Sequence, residues 1–214
     1  MNNYDNYFKD HYRYGFSAED VRAYGRWFWA QWRFFNKKIK VDYKKNILEI
    51  GSGIGGFYDF FRTDNYVGIE LDKAAVEFAN NHFRHGRFRN ISLEAVGGAE
   101  KFDYVFAFEV LEHLDNPQAA AGKIAKLLDE NGVFIGTTPY PFKKNIVADN
   151  THLSVLHPEN WRRLFLQAGF RSVDLHPLTF IPFLWRINKY FNIRLPFYLP
   201  FKYFISTCLI IAKK

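Results

Sequence analysis

The sequence predicts an α/β protein with a doubly wound, mostly parallel seven-stranded sheet and helices on both faces. Three observations carry this. Short β-type runs alternate with amphipathic helix patterns from residue 47 to residue 175, as the crossovers of a parallel sheet require. A glycine cluster, Gly51-Ser52-Gly53-Ile54-Gly55-Gly56, joins the first such run to the first such helix pattern. The second run, Val67-Gly68-Ile69, ends on an acid, Glu70.

In chain order, Ser17-Ala18-Glu19-Asp20 reads as a helix N-cap with acids in the first turn. The helix should run to about Lys38. Tyr24, Trp27, Phe28, Trp32 and Phe35 recur at three- and four-residue steps as a buried stripe, with Trp29 and Phe34 off it. Strands are expected near 47–50, 66–70, 91–95, 103–108, 132–137 and 171–175. Helices are expected near 55–63, 73–83, 117–129 and 158–168. Asn131-Gly132 and Gly169 supply helix-ending turns, and Asp72 caps the helix at 73. Residues 176–202 break this rhythm with Pro177, Pro182, Pro196 and Pro200, and Tyr203–Ala212 returns to a strand pattern. The 214 residues suit a single domain: a helical aromatic cover (1–40), a core (45–176), an insertion (177–202) and a last strand (203–214).

The glycines permit a tight turn and let a ligand approach bare backbone. Gly51, Gly53 and Gly56 satisfy the dinucleotide pattern G-x-G-x-x-G, whereas Glu49, Gly51, Gly53 and Gly55 satisfy acid-x-G-x-G-x-G. Neither pattern is specific alone. Glu70 stands where a carboxylate can accept hydrogen bonds from both hydroxyls of a ribose. A nicotinamide-dependent oxidoreductase and a binder of another nucleoside cofactor are both open on these residues.

A third piece is Phe102-Asp103-Tyr104-Val105, followed by Glu109-Val110-Leu111-Glu112-His113. With the first two pieces, it resembles the class I S-adenosylmethionine-dependent methyltransferases, and within them the branch of ubiquinone-biosynthesis O-methyltransferases and related small-molecule and glycan enzymes. Gly132-x-Phe134-x-Gly136-x-Thr138-Pro139 and Ala168-Gly169-Phe170 resemble later strands of that family. The resemblance covers roughly residues 45–176 and implies a Rossmann-like fold whose last strand runs antiparallel. It implies S-adenosyl-L-methionine as cofactor and S-adenosyl-L-homocysteine as product. The backbone of Gly51, Ser52, Gly53 and Gly55 would meet the methionine end, with Glu49 suited to its ammonium. Glu70 and Leu71 would hold the ribose region. Glu94 and Ala95 would stand at the adenine, and Glu109 beside the sulfonium. Against an oxidoreductase speak Glu49 and the Glu109–His113 stretch; a catalytically inactive cofactor-binding protein is the other alternative.

Methyl transfer is an in-line displacement, so alignment does most of the work. A hydroxyl acceptor also needs a base. His113 and His152 are the candidates, because histidine titrates near neutral pH; His157 looks more like a helix entry, and Tyr140 could line an acceptor pocket. Enzymes that methylate exocyclic amines of nucleobases usually carry Asn/Asp-Pro-Pro-aromatic after the fourth strand, and Glu109-Val110-Leu111-Glu112 is not that motif. No His/Cys/Asp spacing reads as a metal site, so metal-independent chemistry is expected.

Composition limits the rest. Hydrophobic residues make up 48% of the chain and aromatics 20%, which excludes a disordered chain. The single cysteine, Cys208, excludes a disulfide framework and fits a cytoplasmic setting. The opening residues lack a signal-peptide pattern, and no apolar run reaches the roughly 20 residues that span a bilayer. The net charge is +7, yet beyond Asp174 lie six positive charges and no negative one, which leaves only about +1 for the first 174 residues. Aromatics and cations interleave over 177–202, including Phe183, Trp185, Arg186, Lys189, Tyr190, Phe191 and Lys202. That suits peripheral contact with an anionic membrane surface or a lipid-linked acceptor. Packing on the protein itself and stacking on nucleic acid remain alternatives, the latter the weaker. The expected acceptor is a small molecule, a glycan or a lipid-linked compound.

Overall fold

The computed structural model describes residues 16–36, 39–84, 87–142, 150–181, 193–199 and 204–214. They fall into two compact units, Met1–Val96 and Gly97–Lys214.

The first unit holds helix α1 (Ala18–Phe35), strand β1 (Ile47–Ile50), helix α2 (Gly56–Phe61), strand β2 (Tyr66–Ile69), helix α3 (Lys73–His82) and strand β3 (Phe88–Arg89). Ser17 caps α1 by accepting from the Asp20 N–H. Strands β1 and β2 run parallel, with Ile47 opposite Tyr66 and Ile50 opposite Ile69, and β2 runs parallel to β3. Every residue of β1 and β2 is buried, the signature of strands covered on both faces.

Helix α1 packs on α2 through close backbone approach and rings. A Cβ on Gly56 would lie 2.3 Å from that of Tyr24. Trp32 meets Phe61 at 4.6 Å between ring centroids, and Phe28 meets Phe57 at 5.3 Å. Trp32 is buried, and Trp29, off the stripe, is 48% exposed. The side chains of Trp27, Phe34 and Phe35 lie outside the described residues.

The third strand is displaced from its expected place. It occupies Phe88–Arg89, and the segment at 91–95 turns instead, the Ala95 N–H donating to the Ser92 carbonyl at 3.1 Å. The ladder to β2 stops because its next groups are taken: the Ile91 N–H donates back to the Arg89 carbonyl at 3.1 Å, and Asn90 Nδ2 donates to the Glu70 carbonyl at 3.0 Å. On its open edge Phe88 is held by Asn80 of α3, which donates to its carbonyl at 2.9 Å and accepts from its N–H at 3.2 Å.

The second unit holds β4 (Phe102–Phe108), a 3-10 turn (Leu111–His113), α4 (Pro117–Leu127), β5 (Leu128–Pro139), α5 (Pro158–Gln167), β6 (Ser172–Phe180), β7 (Arg194–Leu195) and β8 (Ile205–Lys213). The strand order here is β4-β5-β8-β6-β7. Strands β4 and β5 are parallel, with Val105 opposite Phe134 and Phe108 opposite Thr137. Strand β8 is antiparallel to both neighbours, as the resemblance implies for the last strand.

Three details differ from expectation. Helix α4 ends at Leu127 and passes directly into β5, so Asn131-Gly132 lies within the strand; the register slips between Phe102 and Tyr104 to take up the extra residues. Strand β6 continues through Pro177 to Phe180. Its edge away from β8 pairs with β7 only at Thr179 and Phe180, so Pro177 leaves no ladder bond unmade there. Strand β7, cut from the proline-rich insertion, is the strand beyond the seven expected. Gly169 does end α5, at φ 98°, with the Phe170 N–H donating to the Phe165 carbonyl at 3.2 Å. Of the interleaved aromatics and cations of the insertion, Phe183, Trp185, Arg186, Lys189, Tyr190, Phe191, Phe201 and Lys202 lie outside the described residues.

Candidate active site

The loop after β1 closes against the end of β2. The N–H groups of Gly51 and Ser52 both donate to the Ile69 carbonyl, at 2.8 and 3.1 Å, which folds the chain back at once. Gly53 and Gly55 take φ values of 50° and 84°, conformations costly for residues with a Cβ.

Glu70 ties this loop to the following one. Its Oε2 accepts from the Gly53 N–H at 2.9 Å, and its Oε1 accepts from Leu71 at 2.7 Å and Asp72 at 3.0 Å. Asn90 steadies the same corner, donating to the Glu70 and Leu71 carbonyls at 3.0 and 2.8 Å. Burial pushes the Glu70 carboxyl above its ordinary value, and the backbone donors pull it back. Asp72 caps α3 by accepting from the Ala75 N–H at 3.1 Å, the role expected of it.

Glu49, in the middle of β1, is only 1% exposed. The Tyr66 hydroxyl donates to its Oε2. Burial raises the carboxyl to about 8, against the hydrogen bond from Tyr66, with a smaller push from the Glu70 charge. Tyr66 was not among the expected site residues; its place at the start of β2, within reach of β1, becomes visible only once the two strands are in register. The Ser52 Oγ is buried with no hydrogen-bond partner among the described residues. Leu71, beside Glu70, is 42% exposed. Glu94 and Ala95 stand exposed on the turn that replaces the expected strand.

This donor and acceptor set fits one kind of cofactor better than another. Neither carboxyl group suits a pyrophosphate, to which an acid offers no counter-charge, whereas a carboxyl can meet an ammonium or accept from a pair of hydroxyls. S-adenosylmethionine carries both groups and no phosphate; a dinucleotide carries phosphates that neither carboxyl group matches.

In the second unit, Glu109 follows β4 at φ 54°, a left-handed conformation that a glutamate adopts only under constraint. Its N–H donates to the Thr137 carbonyl at 3.0 Å, and its Oε1 is buried with no hydrogen-bond partner among the described residues. Burial raises its carboxyl, while the positive charge of Arg194 opposes the rise. Arg194, on β7, is 3% exposed; burial lowers its guanidinium to about 10. This arginine, noted in the sequence only as one charge of a basic run, is the cation brought to Glu109.

His113 and His152, distant in sequence, are brought together, their rings edge to face at 4.9 Å. His113 Nδ1 lies 3.0 Å from the Thr151 hydroxyl and 3.1 Å from the Thr151 carbonyl. His157 caps α5, accepting from the Glu159 N–H at 3.4 Å, and its Nε2 lies 3.3 Å from the Tyr140 hydroxyl. It serves the helix entry expected of it.

A family profile described as a methyltransferase domain matches residues 28–175. The chain belongs to that family and is an S-adenosylmethionine-dependent methyltransferase. It is 22% identical over 161 residues to a ubiquinone biosynthesis O-methyltransferase of Coxiella burnetii, covering 64% of this chain and 68% of that one. A protein of the same name from Aromatoleum aromaticum is 26% identical over 161 residues, 64% of this chain and 69% of the other. Another, from Rhodopseudomonas palustris, matches at 29% over 98 residues, so this chain spans only 39% of its length. Among solved structures, an S-adenosylmethionine-dependent methyltransferase of Thermotoga maritima, described as a possible histamine N-methyltransferase, aligns with TM-score 0.66 at 16% identity, over 97% of both chains. One from Archaeoglobus fulgidus aligns with TM-score 0.65 at 19% identity, over 98% of this chain and 100% of the other. These two show the fold, a Rossmann-like methyltransferase sheet. No described helix is long and apolar enough to cross a membrane.

Proposed function

We propose that this methyltransferase moves the methyl group to a hydroxyl oxygen of a small-molecule, glycan or lipid-linked acceptor. The observation that carries the donor half is the Glu70 carboxylate bonded to the Gly53 N–H, which locks an acidic acceptor to the turn of a glycine loop. In this reading Glu70 accepts from the ribose hydroxyls, with Leu71 packing beside them. Glu49, giving up its proton, faces the ammonium. The backbone of Gly51, Ser52, Gly53 and Gly55, with the Ser52 hydroxyl, holds the rest of the methionine end. Glu94 and Ala95 stand at the adenine. When bound, the cofactor supplies a methyl carbon activated by its sulfonium.

The acceptor half rests on the second unit. His113 and His152 promote loss of the acceptor's proton, and Glu109, held by its strained backbone and balanced by Arg194, presents a fixed negative charge on this side. The names of the three curated relatives given above, each an O-methyltransferase, support oxygen as the nucleophile. Exposed Ile193 and Phe197 support contact of the insertion with a lipid-linked acceptor or an anionic membrane surface.

Calorimetric titration tests the donor: S-adenosylhomocysteine should bind one-to-one, and NADH should not. Tight NADH binding without S-adenosylhomocysteine binding would refute the reading. Host extracts incubated with the protein and methyl-labelled cofactor, analysed by mass spectrometry, identify the acceptor; label found solely on nitrogen would overturn the oxygen assignment. Vesicles with anionic lipid should carry the protein upward in a flotation gradient, and equal behaviour with neutral vesicles would remove the membrane contact.

A further inference from the structure

The second unit gathers three potential metal ligands at one point, two of them the histidines assigned above to the acceptor's proton; with an ion on their lone pairs they no longer take that proton, and the ion itself eases its loss from a bound hydroxyl. Glu112 and His113 belong to the 3-10 turn after β4. His152 comes from the segment between β5 and α5, far along the chain. One ligand atom of each lies within 4.8 Å of those of the other two.

The arrangement is built rather than accidental. The N–H groups of Leu153 and Ser154 both donate to the Glu112 carbonyl at 2.8 Å, and Ser154 Oγ donates to the Leu114 carbonyl at 2.9 Å. The segment bearing His152 is thus stitched to the turn bearing the other two. His113 Nδ1 lies 3.1 Å from the Thr151 carbonyl, and in the tautomer that donates to it the lone pair is on Nε2. An imidazole held by a backbone carbonyl through its second nitrogen is the supporting contact that metal-binding histidines commonly make. Glu112 is 1% exposed, so its carboxyl stands with the two imidazoles away from bulk water.

We propose that Glu112, His113 and His152 form a binding site for a divalent transition-metal ion of the zinc, cobalt or manganese type. Two imidazoles and one carboxylate favour such ions over magnesium or calcium, which prefer all-oxygen sets. Ligand atoms about 2.0–2.2 Å from one ion stand about 3.3–3.6 Å apart in tetrahedral geometry, so side-chain rotation must shorten the present separations, all within 4.8 Å, by at most about 1.5 Å. Three protein ligands leave a position open. The ion's role as an anchor for acceptor oxygens, favouring an acceptor with two adjacent oxygens, rests on the methyl-transfer reading; its binding does not.

The test uses tag-free, full-length protein stripped of metal by a chelator and dialysed. Cobalt(II) titration followed by visible absorption, and zinc titration by calorimetry, should each give one ion per chain. Affinity should fall by at least about tenfold in His113→Ala and in His152→Ala, since even outer-sphere partners of metal ligands contribute that much. Glu112→Gln should act likewise, its fold checked by circular dichroism, while His82→Ala, on exposed α3, should bind as the parent does. The proposal is overturned if no stoichiometric binding is seen, or if binding survives unchanged in the His113→Ala/His152→Ala double variant. S-adenosylhomocysteine titrated into the same samples separates the two readings: a protein that binds that ligand but takes up no metal loses the ion site and keeps methyl transfer.

Discussion

Replacing Gly55 with alanine should lower the melting temperature by about 4–11 °C. Two independent costs add. At φ 84° a residue with a Cβ carries about 1–2 kcal/mol of backbone strain. The new Cβ would also lie 2.6 Å from Phe83 Cε2 and 2.9 Å from Phe88 Cζ, distances that force a shift. Those rings cannot simply swing aside. They stack on each other at 5.9 Å, and Tyr58 meets them edge-on at 5.0 and 5.7 Å. Overpacking of this kind costs about 1–3 kcal/mol, for a sum of about 2–5 kcal/mol. An unfolding entropy near 2.1 cal/mol/K per residue gives about 0.45 kcal/mol/K for a chain of this length, hence the range stated. Scanning calorimetry of Gly55→Ala beside Gly98→Ala is the assay, because a Cβ at Gly98 would meet nothing within 4 Å. A melting temperature within about 1 °C of the Gly98→Ala protein would refute the reasoning.

Glu49 predicts a pH dependence. Its carboxyl is raised in the fold from 4.5 to about 8, so the folded chain holds the proton more tightly than the unfolded chain. That contribution is fully present below pH 4.5 and is lost as pH rises through 8. It amounts to at most about 4–5 kcal/mol. Glu49→Gln should flatten this decline, measured by urea denaturation at pH 5, 6.5 and 8; parallel slopes for parent and variant would contradict it. Glu70→Ala removes the acceptor of three backbone N–H bonds. It should weaken S-adenosylhomocysteine by about 2–4 kcal/mol, roughly 30- to 1000-fold, in calorimetric titration, and unchanged affinity would detach Glu70 from the donor site.

Much of this protein was legible along the chain because the relevant physics is local. Strand and helix periods, the Ser17 and Asp72 caps, the Gly169 stop and the Gly51–Gly55 turn depend on neighbours a few residues away. The same holds for the placement of Glu49 within β1 and of Glu70 just past β2. The miss at residues 91–95 is equally physical: Ile91 and Leu93 have β propensity, but the Ile91 N–H turns back to the Arg89 carbonyl and the Asn90 side chain takes the Glu70 carbonyl, twenty residues away in the chain.

What the sequence by itself determined is therefore the order of elements, the glycine loop and its acids, and with them the methyl donor. Tertiary structure alone decided which side chains meet across strands and loops. Tyr66 reaches Glu49 only through the register of β1 and β2. Arg194 comes to Glu109 because a two-residue strand pairs with the end of β6, and His152 joins Glu112 and His113 because two backbone N–H groups clamp its segment to their turn. Such meetings depend on chain closure over long separations, and no short-range pattern encodes them.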